Sequence, residues 1–178
     1  MKVLVCVFTD NEFFFSAMVE LIASHPLLAK KYTLCKIRSE ETGAWMRSAN
    51  NEHMIIAGPD MESLVRIFCL EKQWDYLTAR YNAREMQEFL SRRINRQHEA
   101  KKHLVRTRTH LKLSTQELRV LSWFILGISP HNMSRHYGLS IKTISTYKRR
   151  LMDKLYIKSD AELFKVGLMY QTYRNHFG

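Results

Sequence analysis

The chain has 178 residues and a mass of 21.2 kDa, a length for one domain or two small ones. Lys and Arg total 28 against 17 Asp and Glu, a net charge of +11, and 46% of the residues are hydrophobic, which excludes a disordered basic tail. Six Gly and three Pro exclude collagen-like and low-complexity chains, and the apolar run from Val3 to Phe8 is too short for a signal core or a membrane span.

Val3 to Phe8 reads as a strand buried on both faces. Phe14, Met18, Leu21 and Ile22 then form a helical stripe, with Pro26 expected to close that helix. Tyr32 to Ile37 is a second strand, and Ser39 opens a short helix with Glu40, Glu41 and Thr42 in its first turn. Met54 to Ala57 is a third strand, ended by Gly58-Pro59. Asp60 is placed to cap a helix carrying Leu64, Ile67, Phe68 and Glu71. Tyr76 to Thr78 is a last short strand. Asn82 with Glu85 forms a capping box before a helix lined by Met86, Phe89 and Leu90. This alternation predicts a parallel α/β sheet with right-handed crossovers. Neither a GxGxxG nor a GxxxxGK[ST] motif is present, so no phosphate-cradling loop and no nucleotide cofactor is expected.

Residues 1–100 carry 13 basic and 13 acidic side chains, so the whole positive excess lies in the last 78 residues. Two domains with different tasks are implied, the basic one facing a polyanion, most often nucleic acid. The boundaries expected are 1–95 for the α/β domain, 96–111 for a linker and 112–178 for the basic domain. His98, His103 and His110 fall in that linker, and their spacing and lack of Cys or carboxylate partners predict no metal site. Cys6, Cys35 and Cys69 are odd in number, far apart and without a CxxC, as expected of reduced thiols in a cytoplasmic protein.

The basic half reads as four capped helices. Ser114-Thr-Gln-Glu117 is a capping box, followed by Leu118, Leu121, Ile125 and Leu126 facing inward, with Val120 and Phe124 adding to the stripe, and by Gly127 as a stop. Ser129-Pro130 opens a second helix that reaches Tyr137 and stops at Gly138. Ser140 caps a third, from Ile141 to about Leu155. Ser159-Asp-Ala-Glu162 is a capping box for a fourth, which carries Leu163, Phe164, Val166, Gly167 and Tyr170. A short helix, a glycine turn and a longer basic helix make a helix-turn-helix pattern, which points to double-stranded DNA as the partner. On the third helix Ile144, Tyr147 or Lys148, Leu151 and Leu155 run down one side. Lys142, Thr143, Ser145, Thr146, Arg149 and Arg150 lie on the others. Small hydroxyl side chains beside Lys and Arg suit close approach to base edges and phosphates.

The run from Leu113 through Gly127-Ile-Ser and Gly138-Leu-Ser-Ile-Lys-Thr-Ile-Ser to Lys154-Leu155 resembles the NarL/FixJ/LuxR-type helix-turn-helix domain over about 60 residues. Within that group it is similar to Rcs-type response regulators and their atypical accessory relatives. The resemblance implies a recognition helix in the major groove, with Lys142, Thr143, Ser145, Thr146, Lys148 and Arg149 on DNA. It also implies a fourth helix that pairs two copies, through the stretch holding Ser159, Leu163, Val166, Gly167 and Tyr170. The first half then resembles a truncated, degenerate receiver. Only Asp10 remains of the acid pair after the first strand, Ala57 or Gly58 stands where the phosphoacceptor is expected, and the switch Lys is missing from Tyr76-Leu-Thr-Ala-Arg80. The expectation is a sequence-specific transcription regulator that acts as a homodimer or as a heterodimer with a related regulator, needs no Asp phosphorylation and is not an enzyme. Two alternatives are an autoinducer-type ligand sensor, suggested by Trp74-Asp75-Tyr76, and a protein-only adaptor acting through its fourth helix.

Overall fold

Strand and helix alternate through the first 95 residues, and the strands assemble edge to edge in parallel. In this computed structural model, which describes residues 2–49, 53–72, 74, 76–95 and 113–177, β1 (Val3–Phe8) lies between β2 (Tyr32–Ile37) and β3 (Met54–Ala57), and β4 (Tyr76–Thr78) adds to β3. The order is β2-β1-β3-β4, with Cys6 opposite Cys35 on one side and Ile55 on the other. The helices are α1 (Glu12–Ala23), α2 (Pro26–Lys31), α3 (Ser39–Ser48), α4 (Glu62–Lys72) and α5 (Ala83–Asn95). The single crossover α4 joins β3 to β4.

The two-residue period of the strands sorts their side chains. Val5, Val7, Met54 and Ile56 pack with Met18 and Ile22 of α1, Leu28 of α2 and Met86 and Leu90 of α5. Cys6, Phe8, Ile55 and Ala57 face the other way, onto Met46 of α3 and Leu64, Val65, Ile67 and Phe68 of α4. That second layer does not stop at the α/β unit. It continues into Leu121, Leu151, Leu155, Leu163, Val166 and Tyr170 of the helical half, formed by α6 (Thr115–Ile125), α7 (Pro130–Tyr137), α8 (Ile141–Leu155) and α9 (Asp160–Phe177). Each fully buried Leu or Phe of this kind contributes roughly 1.5–3 kcal/mol by leaving water.

Several local expectations are corrected. Pro26 does not close the first helix: α1 ends at Ala23, and Pro26 is the first residue of α2, where its missing N–H costs nothing. Asp60 does not cap α4, because its carboxylate turns back to β1, accepting from the Thr9 hydroxyl at 2.7 Å and the Asp10 N–H at 2.7 Å. Leu126 is not inward. It lies past the end of α6 and is 63% exposed, while Trp123 takes the buried place. The Ser159 box is only half formed. The Ser159 hydroxyl accepts from the Glu162 N–H, but the Glu162 carboxylate accepts from Lys158 N–H and Ser63 Oγ instead. The expected linker, with its three histidines, and Asp75 of the aromatic–acid motif lie outside the described residues.

Candidate nucleic-acid interface

The helical half is positioned by its caps. Ser114 Oγ accepts from Glu117 N–H at 3.2 Å, and Glu117 returns its carboxylate to Ser114 N–H at 2.6 Å. Ser129 Oγ caps α7 through Asn132 N–H, and Ser140 Oγ caps α8 through Thr143 N–H. Between them Gly138 sits at φ 64°, the left-handed conformation that lets α7 turn into α8 without a Cβ clash. A small core of Val120, Trp123, Met133 and Ile144 locks the three helices together. Tyr137 stacks on Trp123 with ring centroids 3.8 Å apart and planes 20° from parallel. Trp123 was not singled out in the sequence, although it lies three residues after Val120, on the neighbouring part of the same stripe.

Helix α8 is buried along Ile144, Leu151 and Leu155. Lys142, Thr146 and Arg149 recur at i, i+4 and i+7 on the opposite side, and all three are exposed. Ser145 and Arg150 are exposed at its flanks. Thr143 is half-buried, its hydroxyl 2.8 Å from that of Ser140, so it is part of the cap. Thr146 donates its hydroxyl proton to the Lys142 carbonyl at 2.9 Å, which leaves the oxygen facing outward as an acceptor. Ile141, at the first position of the helix, is 48% exposed. A large apolar side chain there can contact a thymine methyl, and the sequence reading gave it no role.

Lys148 is placed differently from its neighbours. Its ammonium lies 2.6 Å from Asp160 Oδ2 at the start of α9 and 4.9 Å from the ring centroid of Phe124. It joins α8 to α6 and α9, and so stands apart from the outward row of Lys142, Thr146 and Arg149.

The residues expected at a dimer contact are turned inward. Leu163 (0% exposed), Val166, Gly167 and Tyr170 are buried in this chain's own core, and Ser159 serves as the cap of α9. A Cβ at Gly167 would stand 2.8 Å from Leu121 Cδ1 and Ile125 Cδ1, so glycine sets the close approach of α9 to α6. On one side of α9 lies α4, with the Phe68 ring 4.6 Å from that of Tyr173 and 5.6 Å from that of Tyr170. The outward side of α9 carries Ala161, Phe164, Lys165 and Leu168, with Phe164 43% and Leu168 46% exposed.

At the carboxyl ends of β1 and β3, where a doubly wound sheet places its ligands, the polar groups satisfy one another. Asp10 Oδ1 accepts from Ser39 N–H at 2.9 Å and so acts as a long-range cap of α3. That N–H, outweighing a small burial effect, holds the Asp10 carboxyl below its ordinary value, helped by Lys36 and Arg38. Asp60 spends both oxygens on Thr9 and Asp10. Gly58 makes this closure possible, because a Cβ there would lie 2.7 Å from both Asp60 Oδ1 and Thr9 Oγ1. Among the described residues no group of three His, Cys, Asp or Glu side chains is placed to hold a metal ion. No helix among them is long and apolar enough to cross a membrane.

The architecture is a receiver-like α/β unit with a four-stranded parallel sheet joined to a helix-turn-helix unit. Residues 111–166 match the family model described as bacterial regulatory proteins, luxR family, and form a LuxR-type domain. Among solved structures the fold is similar to that of RcsB in a complex of two RcsB dimers bound to two parallel DNAs. The identity is 14% and the TM-score 0.53, over 93% of this chain and 98% of that one. It is similar, too, to RcsB from Salmonella enterica serovar Typhimurium bound to promoter rprA in the presence of phosphomimetic BeF3−, with 14% identity and a TM-score of 0.52 over 95% and 100% of the two chains. No curated protein matches the chain.

Proposed function

We propose that this protein is a sequence-specific DNA-binding transcription regulator that acts as a dimer and works without aspartyl phosphorylation. The observation that carries the reading is the row Lys142, Thr146 and Arg149 on the outward side of α8, held by the Trp123 core behind it. Arg149 and Lys142 supply phosphate or guanine contacts, and Ser145, Thr146 and Ile141 reach base edges. Domain limits of 1–95, 96–111 and 112–178 belong to the same reading, as does a cytoplasmic location beside the DNA. No enzymatic activity is proposed.

Independence of phosphorylation is supported by the mutual bonding of Thr9, Asp10 and Asp60. A phosphoacceptor needs an Asp beside free Mg²⁺-binding carboxylates, whereas Asp10 caps α3 and both Asp60 oxygens are bonded. The dimer contact is proposed on the outward side of α9, at Ala161, Phe164, Lys165 and Leu168, with a second copy or a related regulator.

The test is selection of duplexes from a random library by the purified chain at physiological salt. Recovery of a motif with two half-sites is the expected result. Sequence-blind binding that collapses with salt overturns the homodimer reading and assigns the second half-site to a different chain. No binding at any salt overturns the function.

A further inference from the structure

The C-terminal end of the recognition helix rests on the α/β domain, through a buried cation that reaches across to the other half of the chain. Arg66 of α4 is 5% exposed, and among the described residues no carboxylate pairs with it. Its Nε donates to the carbonyl of Lys154, in the last turn of α8, and its terminal nitrogen donates to Tyr76 Oη at 2.5 Å. Carbonyls in a last helical turn form the negative end of the helix dipole, so a guanidinium there is electrostatically matched. Next to it, Tyr156 caps α8 in the left-handed region at φ 59°, a conformation a bulky residue keeps only when its surroundings impose it. Ile157 N–H closes that end on the Met152 carbonyl at 2.9 Å, and two cations flank the Tyr156 ring: Arg66 and Arg80 each stand 3.7 Å from its centre. Arg80 is balanced by Glu62 at 3.1 Å. Further along the interface, Ser63 Oγ lies 3.2 Å from Glu162 Oε1. The part of α9 beyond the family match, after residue 166, lays Tyr170 and Tyr173 on Phe68.

This interface grips the end of α8 and leaves its start open. Lys142, Ser145, Thr146, Arg149 and Arg150 are exposed with the α/β domain in place. We infer that the chain binds DNA with its two domains docked, α4 and the Arg66–Tyr156–Arg80 clamp fixing the recognition helix from behind, so that the α/β domain is a part of the DNA-reading unit. The inference rests on the DNA-binding reading above. Its chemistry is a positioning role for Arg66 and Arg80, which act on DNA only through α8.

The test locks the domains together in the full chain. Ser63→Cys and Glu162→Cys, in a Cys35→Ser background that leaves only the buried Cys6 and Cys69, are bridged by a two-carbon bis(methanethiosulfonate) reagent, and reductant reverses the bridge. Titration uses the duplex recovered by selection. The bridged protein is expected to bind within about threefold of the reduced protein. Binding by the reduced form with a loss of about tenfold or more when bridged overturns the inference and leaves the DNA-binding reading intact. Absence of sequence-selective binding in both forms overturns the reading itself. A second arm uses Arg66→Gln with Arg80→Gln. X-ray scattering is expected to show a larger radius of gyration, and the titration a several-fold weaker complex with an unchanged salt slope. Unchanged dimensions and affinity in that variant overturn the clamp. Should it not fold, Tyr156→Leu removes the ring from the other side of the same contact, with the same two readouts.

Discussion

Lys154 Nζ lies 2.8 Å from Glu117 Oε2, tying the last turn of α8 to the capping box that starts α6. Glu117 is 2% exposed and has two partners in this arrangement, the Ser114 N–H and the Lys154 ammonium. One carboxylate therefore orders a local helix start and a long-range helix contact together.

Burial pushes the Glu117 carboxyl up, but the Lys154 and Ser114 hydrogen bonds outweigh it, and the net direction is down. A carboxyl depressed on folding adds stability that is present above its unfolded value, near 4.5, and is lost as pH falls through the folded value. The wild-type chain should therefore lose stability on acidification below that unfolded value, and Glu117→Gln should lose less. Urea midpoints measured from neutral pH into the acid range decide it, and parallel curves refute the role of Glu117. At neutral pH Glu117→Gln should cost about 1–3 kcal/mol, as loss of a charged hydrogen bond at a buried site does.

Arg149→Ala and Lys142→Ala should each weaken DNA binding by about 1–3 kcal/mol where the contact is to a base, or flatten the salt slope by about 1 where it is to phosphate. Lys148→Ala should behave otherwise. Its ammonium is engaged with Asp160 and Phe124, so its removal should lower the melting temperature, and Asp160→Asn should do the same, with the salt slope unchanged in both. A flattened slope for Lys148→Ala would place that side chain on the DNA instead.

Acetyl phosphate with Mg²⁺ should leave the intact mass of the protein unchanged and its DNA affinity unaltered, because Asp10 and Asp60 are both committed to N–H and O–H donors. Mass spectrometry after incubation checks this. A phosphorylated species lost in Asp60→Asn would show that the pocket opens. Gly58→Ala should destabilise the protein by about 1–3 kcal/mol through the clash with Thr9 and Asp60.

Trp123→Ala should cost about 3–5 kcal/mol, since it empties the small core behind α8 and unstacks Tyr137. Calorimetry reads the loss. Trp123→Phe, which keeps most of the volume, should recover the greater part of it.

The sequence was most informative where structure is local. Ser114, Ser129, Ser140 and Gly138 announce helix ends within three or four residues of themselves, and the structure places each of them in that role. The apolar run holding Val5, Cys6, Val7 and Phe8 likewise reads as a strand covered on both faces, and both faces are covered. It was least informative where a side chain answers to a partner far along the chain. Asp10 caps a helix 29 residues away, Asp60 bonds to groups 50 and 51 residues away, and Arg66 meets Lys154 across 88. Helical periodicity showed that α9 has an apolar side, but not that α4 would cover it. The expectation that Leu163, Val166 and Tyr170 meet a second chain follows from the family resemblance, and in this structure they lie in the chain's own core. Nor does Lys148, on a basic helix, announce the Asp it meets twelve residues on.

Gly167 sets how near α9 can lie to α6, and α6 in turn carries α8. In a dimer closed through the outward side of α9, the gap between the two recognition helices is the thickness of this stack counted once in each subunit. Any side chain at position 167 that lifts α9 off α6 would widen that gap by twice the lift. Successive major grooves on one face of DNA recur at about 34 Å, so in such a dimer the missing methyl group would bear on the spacing of half-sites.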